Sequence, residues 1–337
     1  MDEGAVKTLF LPFENGDLPF PAEGAPFLFF NAAAPPVSEQ KWRDSLECVQ
    51  GFRTDFLTLQ RAGYRVTPQR SAGQFSGALV LLGKHRDLNR ANIYSALEQT
   101  LPGGPVLVAG AKTSGVQAMR KELVELLPIE QTLSKNHAQV FWFSRPKSWD
   151  SPPLAAQRKV SADGMTFETA PGMFSHKAAD AGSQMLARHL GEVKGKAADF
   201  GAGWGFLSAM LLKSAPGVTA LDVFEAEYAS LQAAKTNLGA WSAQTPTAFH
   251  WIDLLAEPVP AAYDAIIMNP PFHTGRSAEA SIGQRMIAAA AKALKPSGLL
   301  LMVANRELPY EDTLRRVFRR FERIDEDRQY KVIRAVK

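Results

Sequence analysis

The feature that most constrains the fold is an alternation of short apolar runs with helix-like segments through the C-terminal half of the chain. Runs at 197–200, 218–222, 247–253, 265–268 and 298–304 read as strands, and segments at 206–213, 225–238 and 278–294 between them read as helices. Strand and helix in turn imply parallel strands joined by crossovers, with helices covering both faces of one sheet. None of the apolar runs is long enough to span a bilayer.

The N-terminal half carries a fainter copy of the same order. From Gly77, GALVLLGKHRDLN leads through a helical stretch to LEQTLPGGPVLVAG; from Asp264, DAIIMNPPFHTGR leads likewise to AAKALKPSGLLLMVAN. In both, a strand ends in a special turn, a helix follows, and a Leu-Pro-Gly stretch opens the next strand. This predicts an α/β protein of two tandem domains with the same build, the product of a long-period duplication. A chain of 337 residues can bury two such cores. The stretch RPKSWDSPPLAAQRKVSADG at 145–164, rich in Pro, Ser and charge, reads as the linker, giving domains at 1–150 and 151–337. The copies differ where chemistry would sit. Asn-Pro-Pro-Phe is replaced in the first copy by Gly83, Lys84, His85 and Arg86, and the early strand PFLFFNAAAPP ends without a glycine-rich turn. The N-terminal domain is therefore expected to keep the sheet and to have lost a small-molecule site.

Composition closes off several classes. Cys48 is the single cysteine, which excludes an internal disulfide and any multi-cysteine metal site and fits a reducing cytoplasm. The six histidines show no metal spacing, and no zinc or calcium loop is present, so no metal is expected. A net charge of +4 tolerates a nucleic-acid partner without arguing for one. The opening MDEGAVKTLFLPFENG has no cationic segment followed by an apolar one, so no secretory signal is read and a cytoplasmic location is expected.

DFGAGWG at 199–205 follows a strand and precedes a helix, where glycines allow a tight reversal and close approach of a ligand to bare N–H groups. A dinucleotide fingerprint would need its third glycine at 206, which is Phe206. A plain strand–helix turn is the bland alternative. The D-x-G-x-G-x-G spacing resembles motif I of the class I S-adenosylmethionine-dependent methyltransferases, whose ligand has no phosphate. That resemblance implies cofactor contacts at Asp199, Gly201, Ala202 and Gly203. It also implies a ribose-binding acid at Asp222 with Val223 beside it, and an adenine-facing acid at Asp253 with Leu254 beside it. Each acid alone could equally be a helix cap or surface group. Glu225 is the weaker alternative for the ribose, since a carboxylate at a helix start needs no ligand to explain it.

Asn-Pro-Pro-Phe then acquires a chemical meaning. An amino group on an aromatic ring is a poor nucleophile because its lone pair is delocalised. Two acceptors on its two N–H bonds, the Asn269 side-chain oxygen and the Pro270 carbonyl, can draw that lone pair out of the plane and aim it at a sulfonium methyl. Pro270 and Pro271 fix the backbone, so orientation costs little when the reaction occurs. Phe272 offers a face for a planar base, a contact worth about 1–3 kcal/mol in single-stranded nucleic acid. No strong base is needed, because the methylated ammonium is acidic. A Pro-Pro turn with a core phenylalanine is the bland alternative.

The Asn-Pro-Pro-Phe turn resembles motif IV of the amino-methyltransferases. With APGMFSHKAADAGSQML at 170–186, LLLMVANRELPY at 299–310 and the final YKVIRAVK, the chain from 165 onward resembles the bacterial ribosomal RNA guanine-N2 methyltransferases of the RsmC/RlmG type. The resemblance implies S-adenosylmethionine as cofactor, S-adenosylhomocysteine as product, and a guanine N2 of small-subunit ribosomal RNA or the 30S subunit as substrate. It also implies Phe174 and Ser175 near the methionine end of the cofactor and Asn269–Phe272 as the catalytic turn. No obligate protein partner and no membrane are implied. Trp204, inside the glycine loop, must point away from the ligand. The turn reads an amino group and not a base, so adenine N6 or a protein glutamine stays open as a target. A silent RNA-binding or assembly protein with a relic fold also stays open.

Other residues are weaker candidates. His273 and His176 are not required by this chemistry. In LRRVFRRFERIDEDR, from Leu314, the residues Leu314, Val317, Phe318 and Phe321 fall at helical spacing. Arg315, Arg316, Arg319, Arg320 and Arg323 take the remaining arc, as an RNA-backbone stripe or a solvated face. Lys84, His85 and Arg86 are expected to meet RNA phosphate, making the first domain a docking surface.

Overall fold

The computed structural model describes residues 2–35, 40–70, 72–152, 158–260, 262–271 and 276–337. The chain divides into two compact units, Met1–Ala156 and Gln157–Lys337. The stretch read as a linker is structured in its second half. It forms β8 (Arg158–Ala162), which pairs antiparallel with β9 (Met165–Thr169), ahead of the second large sheet.

The first unit holds β1 (Phe27–Phe30), β2 (Leu46–Val49), β3 (Arg65–Thr67), β4 (Gly77–Leu81), β5 (Pro105–Ala111), β6 (Gln131–Lys135) and β7 (Ala138–Ser144), in the order β3-β2-β1-β4-β5-β7-β6. The second holds β10 (Gly195–Phe200), β11 (Val218–Glu225), β12 (Thr247–Trp251), β13 (Tyr263–Met268), β14 (Leu294–Asn305), β15 (Arg320–Glu326) and β16 (Tyr330–Val336). Their order, β12-β11-β10-β13-β14-β16-β15, is the same. Six strands of each sheet share one direction, and the seventh, β7 in the first and β16 in the second, is antiparallel to both of its neighbours. Central strands such as FLFF and GALVL are buried along their whole length, as strands covered on both faces must be. Each unit accordingly has two apolar clusters, one per face of its sheet.

Strand order reverses at β10, which lies between β11 and β13, and such a switch point opens a crevice at the carboxyl ends of the strands. Register fixes what meets there. Phe200 is opposite both Phe224 of β11 and Met268 of β13, so Gly201, Glu225 and Asn269 follow in one row. In the first unit Phe30 is opposite Val49 and Val80, and the corresponding row is Asn31, Gln50 and Leu81.

The helical reading of 314–328 is corrected. The helix Glu311–Val317 stops at Phe318, which is extended, and Arg320–Glu326 is β15, paired with β16. A short amphipathic run that can bond to a waiting strand follows that strand, so the five arginines do not share one helix face. Arg315 pairs with Asp312 at 2.6 Å, and Arg323 pairs with Glu311 at 2.7 Å.

Candidate active site

The loop after β10 has the three left-handed turns its glycines permit: φ is 78° at Gly201, 57° at Gly203 and 90° at Gly205. Backbone N–H groups of Gly201 and Ala202 both donate to the Phe224 carbonyl, tying the loop to β11. A Cβ at Gly203 would meet nothing within 4 Å, so that side of the loop is open. A Cβ at Gly205 would lie 3.2 Å from Ala234 of the helix Tyr228–Ser242. The helix Phe206–Ser214 starts directly from Gly205.

The acid beside this loop is Glu225. Its Oε2 accepts from Gly203 N at 2.7 Å and its Oε1 from Glu227 N at 2.8 Å. Burial raises its carboxyl above the usual range, against these backbone donors. The expectation that Asp222 ends the strand is corrected, because β11 runs three residues further. Asp222 is opposite Ala198, roughly 10 Å back along the strand from the row of Glu225. It is buried there, accepting from Tyr263 Oη and pairing with Lys196 Nζ at 2.8 Å. Burial opposes its ionisation, but those two partners hold its carboxyl below the usual range. Val223 is fully buried in the core beside it. Both expected contacts therefore fall inside the sheet, and Glu225 takes the strand-end place.

Asp199 lies one residue below the loop, fully buried. Its Oδ2 accepts from Ser208 Oγ at 2.7 Å, and its Oδ1 has no hydrogen-bond partner among the described residues. Burial pushes the carboxyl up to about 7, aided by the charge of Glu225 and opposed by the Ser208 bond.

Asn269 follows β13 directly. Its Nδ2 donates to Asp180 Oδ2 at 3.0 Å and to Ser183 Oγ at 2.9 Å. Its Oδ1 is buried with no partner among the described residues. The amide orientation follows from this network, since a carboxylate can only accept and must face the NH₂ end. Asp180 also caps the helix Ala181–Ala187, accepting from Ser183 N at 2.8 Å. Pro270 is buried and Pro271 exposed, while Phe272 and His273 lie outside the described residues.

The segment before that helix forms the opposite wall. Ser175 has φ of 50°, unusual for a residue with a Cβ, and Phe174 is 40% exposed. Trp204 Nε1 donates to the Phe174 carbonyl at 2.9 Å, and its ring packs against Phe167 and Phe206, so this bulky loop residue is a strut buried in the core. Phe174, Ser175, Gly201, Ala202, Gly203 and Asn269 thus line one cleft, as do Asp180 and Ser183. Asp253 and Leu254 are not among its lining residues. β12 ends at Trp251, and Asp253 sits in the following turn, accepting from Leu255 N at 2.9 Å. Leu254 packs toward the other face of the sheet and lines a separate groove with Arg285.

Sequence reasoning missed Asp180 and Ser183. Their Asp-x-x-Ser capping pattern before an apolar helix was visible, but not their bonds to a turn 89 and 86 residues away. Among the described residues no group of three His, Cys, Asp or Glu is arranged to hold a metal, and no helix is long and apolar enough to cross a membrane.

In the first unit the matching crevice is spanned by protein. Asn31, at φ of 52° where β10 is followed by Gly201, donates from Nδ2 to the Leu81 carbonyl at 2.9 Å. Gln50 stands where the second unit has Glu225. It bonds the Ala32 carbonyl and accepts from Phe52 N, two residues on, as Glu225 does from Glu227. Asn89 bonds both N and O of Gly83 at 2.8 Å. Lys84, His85 and Arg86 are exposed, and Arg86 pairs with Glu122 at 2.7 Å.

The chain matches the model of the methyltransferase small domain over residues 164–334. It is 30% identical over 267 residues to ribosomal RNA small subunit methyltransferase C of Shewanella oneidensis, covering 77% of this chain and 76% of that protein. It is 31% identical over 238 residues to the protein of that name from Escherichia coli, covering 69% and 67%. Among solved structures it resembles the T. thermophilus 16S rRNA N2 G1207 methyltransferase (RsmC) in complex with AdoMet and guanosine. There the TM-score is 0.77 and the identity 25%, over 93% of this chain and 88% of that one.

Proposed function

Because this chain belongs to the methyltransferase small domain family, we propose that it transfers a methyl group from S-adenosylmethionine to the exocyclic N2 of a guanine in small-subunit ribosomal RNA. One observation carries the chemistry: beside a glycine-loop cleft, Asn269 presents a buried carboxamide oxygen without a partner, its amide nitrogen already engaged. The choice of guanine rests on the relatives, since an acceptor of this kind reads an amino group and not the ring that bears it.

The cleft residues fit the cofactor. The open face at Gly203 leaves room for a ligand against the backbone, and Glu225 stands at the strand end suited to ribose hydroxyls. Phe174 and Ser175 would border its amino-acid end and Asp253 its adenine. Bound S-adenosylmethionine supplies an electrophilic methyl on a sulfonium sulfur. Asn269 Oδ1, with the Pro270 carbonyl, would hold the substrate amino group so that its lone pair leaves conjugation, with Phe272 as the stacking face. The guanine must be unpaired or extruded for N2 to be reached. The first unit would act as an RNA-docking module through Lys84, His85 and Arg86, with ribosomal RNA or the 30S particle in the cytoplasm as the partner.

The test is methylation of small-subunit RNA, free and in particles, from a strain lacking the gene, followed by nucleoside mass analysis. The expected product is N2-methylguanosine. N6-methyladenosine, methylated glutamine in a protein, or no methyl transfer at all would overturn the proposal.

A further inference from the structure

The bonds around Asn269 do more than pack a polar side chain. A carboxamide has two ends of nearly equal size, and only the oxygen end can accept an amino hydrogen. Rotation by half a turn would present N–H to N–H. Two acceptors on Nδ2 remove that freedom. Asp180 Oδ2 lies 3.0 Å away and Ser183 Oγ 2.9 Å away, the one the N-cap and the other in the first turn of the same helix. That turn is itself fixed. Asp180 Oδ2 also receives Ser183 N, and the Tyr330 ring lies so close to Gly182 that a Cβ there would be 2.9 Å from it. The oxygen end is left pointing where no described residue meets it.

We propose that Asp180 and Ser183 are positioning residues for the methyl transfer, holding the Asn269 carboxamide with its oxygen toward the incoming amino group. This rests on the methyltransferase reading above. It adds that acceptor identity at Asn269 is set by a helix N-terminal to the glycine loop, not by the Asn-Pro-Pro-Phe turn alone.

The design of the test follows from the double duty of Asp180. Asp180→Ser keeps a residue favoured at helix N-caps but withdraws the carboxylate from Asn269. Asp180→Asn keeps both bonds, because capping Ser183 N forces its amide oxygen into the shared position. Ser183→Ala leaves the cap intact and removes one acceptor, so it reports even where Asp180→Ser folds poorly. The full-length protein is assayed for turnover on small-subunit RNA, for S-adenosylmethionine affinity by calorimetry, and for Tm. Misaimed acceptors lower kcat by about 10–100-fold. The expected result is that loss in Asp180→Ser, a smaller loss in Ser183→Ala, and near wild-type turnover in Asp180→Asn. Cofactor affinity and Tm should stay close to wild type in Ser183→Ala and Asp180→Asn. In single-turnover assays, Asp180→Ser should add nothing to the loss caused by Asn269→Ala, because both act through one group. Unchanged kcat in both Asp180→Ser and Ser183→Ala, cofactor affinity falling in step with kcat, or full additivity with Asn269→Ala overturns the assignment. Wild-type protein that binds the cofactor yet methylates no RNA removes the underlying reading and this one with it. An active wild type with indifferent variants removes this one alone.

Discussion

Asp199 shows how a single buried side chain can cost the fold stability. A carboxyl with no exposure, one oxygen unpaired and a value raised to about 7 binds its proton more tightly folded than unfolded. Its effect on stability therefore has a definite sign. Below the unfolded value near 4 both states are protonated and there is no penalty. As pH rises to about 7 the unfolded chain ionises first, and stability falls. Asp199→Asn removes that dependence. Urea unfolding should show the variant gaining on wild type between pH 4 and pH 8, by up to about 4 kcal/mol. A constant difference across that range would refute the assignment. This residue was legible from its place before the glycines; its strained protonation was not, because burial is a property of the assembled sheet.

At the scale of elements, the glycine loop separates packing from binding. Gly205→Ala drives a Cβ to 3.2 Å from Ala234 at a φ of 90°, and should lower stability by about 1–3 kcal/mol. Gly203→Ala meets open space but carries a φ of 57°, so it should cost about 1–2 kcal/mol in conformation. Its larger effect should be on cofactor affinity, since the new methyl enters the cleft. Thermal unfolding beside calorimetry tests the pair; equal losses of affinity at equal stability would contradict it. The loop, the strand–helix alternation and the duplicated build were readable because glycine spacing and that alternation are local. The strand-end acid was misread for a physical reason. LDVFE stays mostly apolar through its end, and a strand covered on both faces has no alternation to mark its last residue. Only the pairing of Phe200 with Phe224 shows that Glu225, not Asp222, reaches the edge. The arginine run failed for a related reason, since seven residues of amphipathic sequence fit a helix or an edge strand until a partner strand decides.

On the scale of the whole molecule, two copies of one topology differ at the row of residues where strand order reverses. Gly201 and Asn269 border a cleft, with Glu225 bonded to the loop at Gly203; in the equivalent row the neutral amides of Asn31 and Gln50 bond the carbonyls of Leu81 and Ala32. Calorimetry should therefore find one S-adenosylmethionine per chain. In parallel, neutralising Lys84, His85 and Arg86 should weaken RNA binding and flatten its salt dependence while leaving that stoichiometry unchanged. Two bound cofactors, or an unaltered salt slope, would contradict the division of labour.

The place of β16 carries a consequence for synthesis. It is inserted between β14 and β15, and it brings Tyr330 against Gly182, beside the cap that orients Asn269. While a nascent chain emerges, the earlier unit can collapse on its own strands, since none of its sheet waits on later sequence. The later sheet stays open at that edge until residues 330–336 leave the ribosome, and its chemistry should stay silent until then.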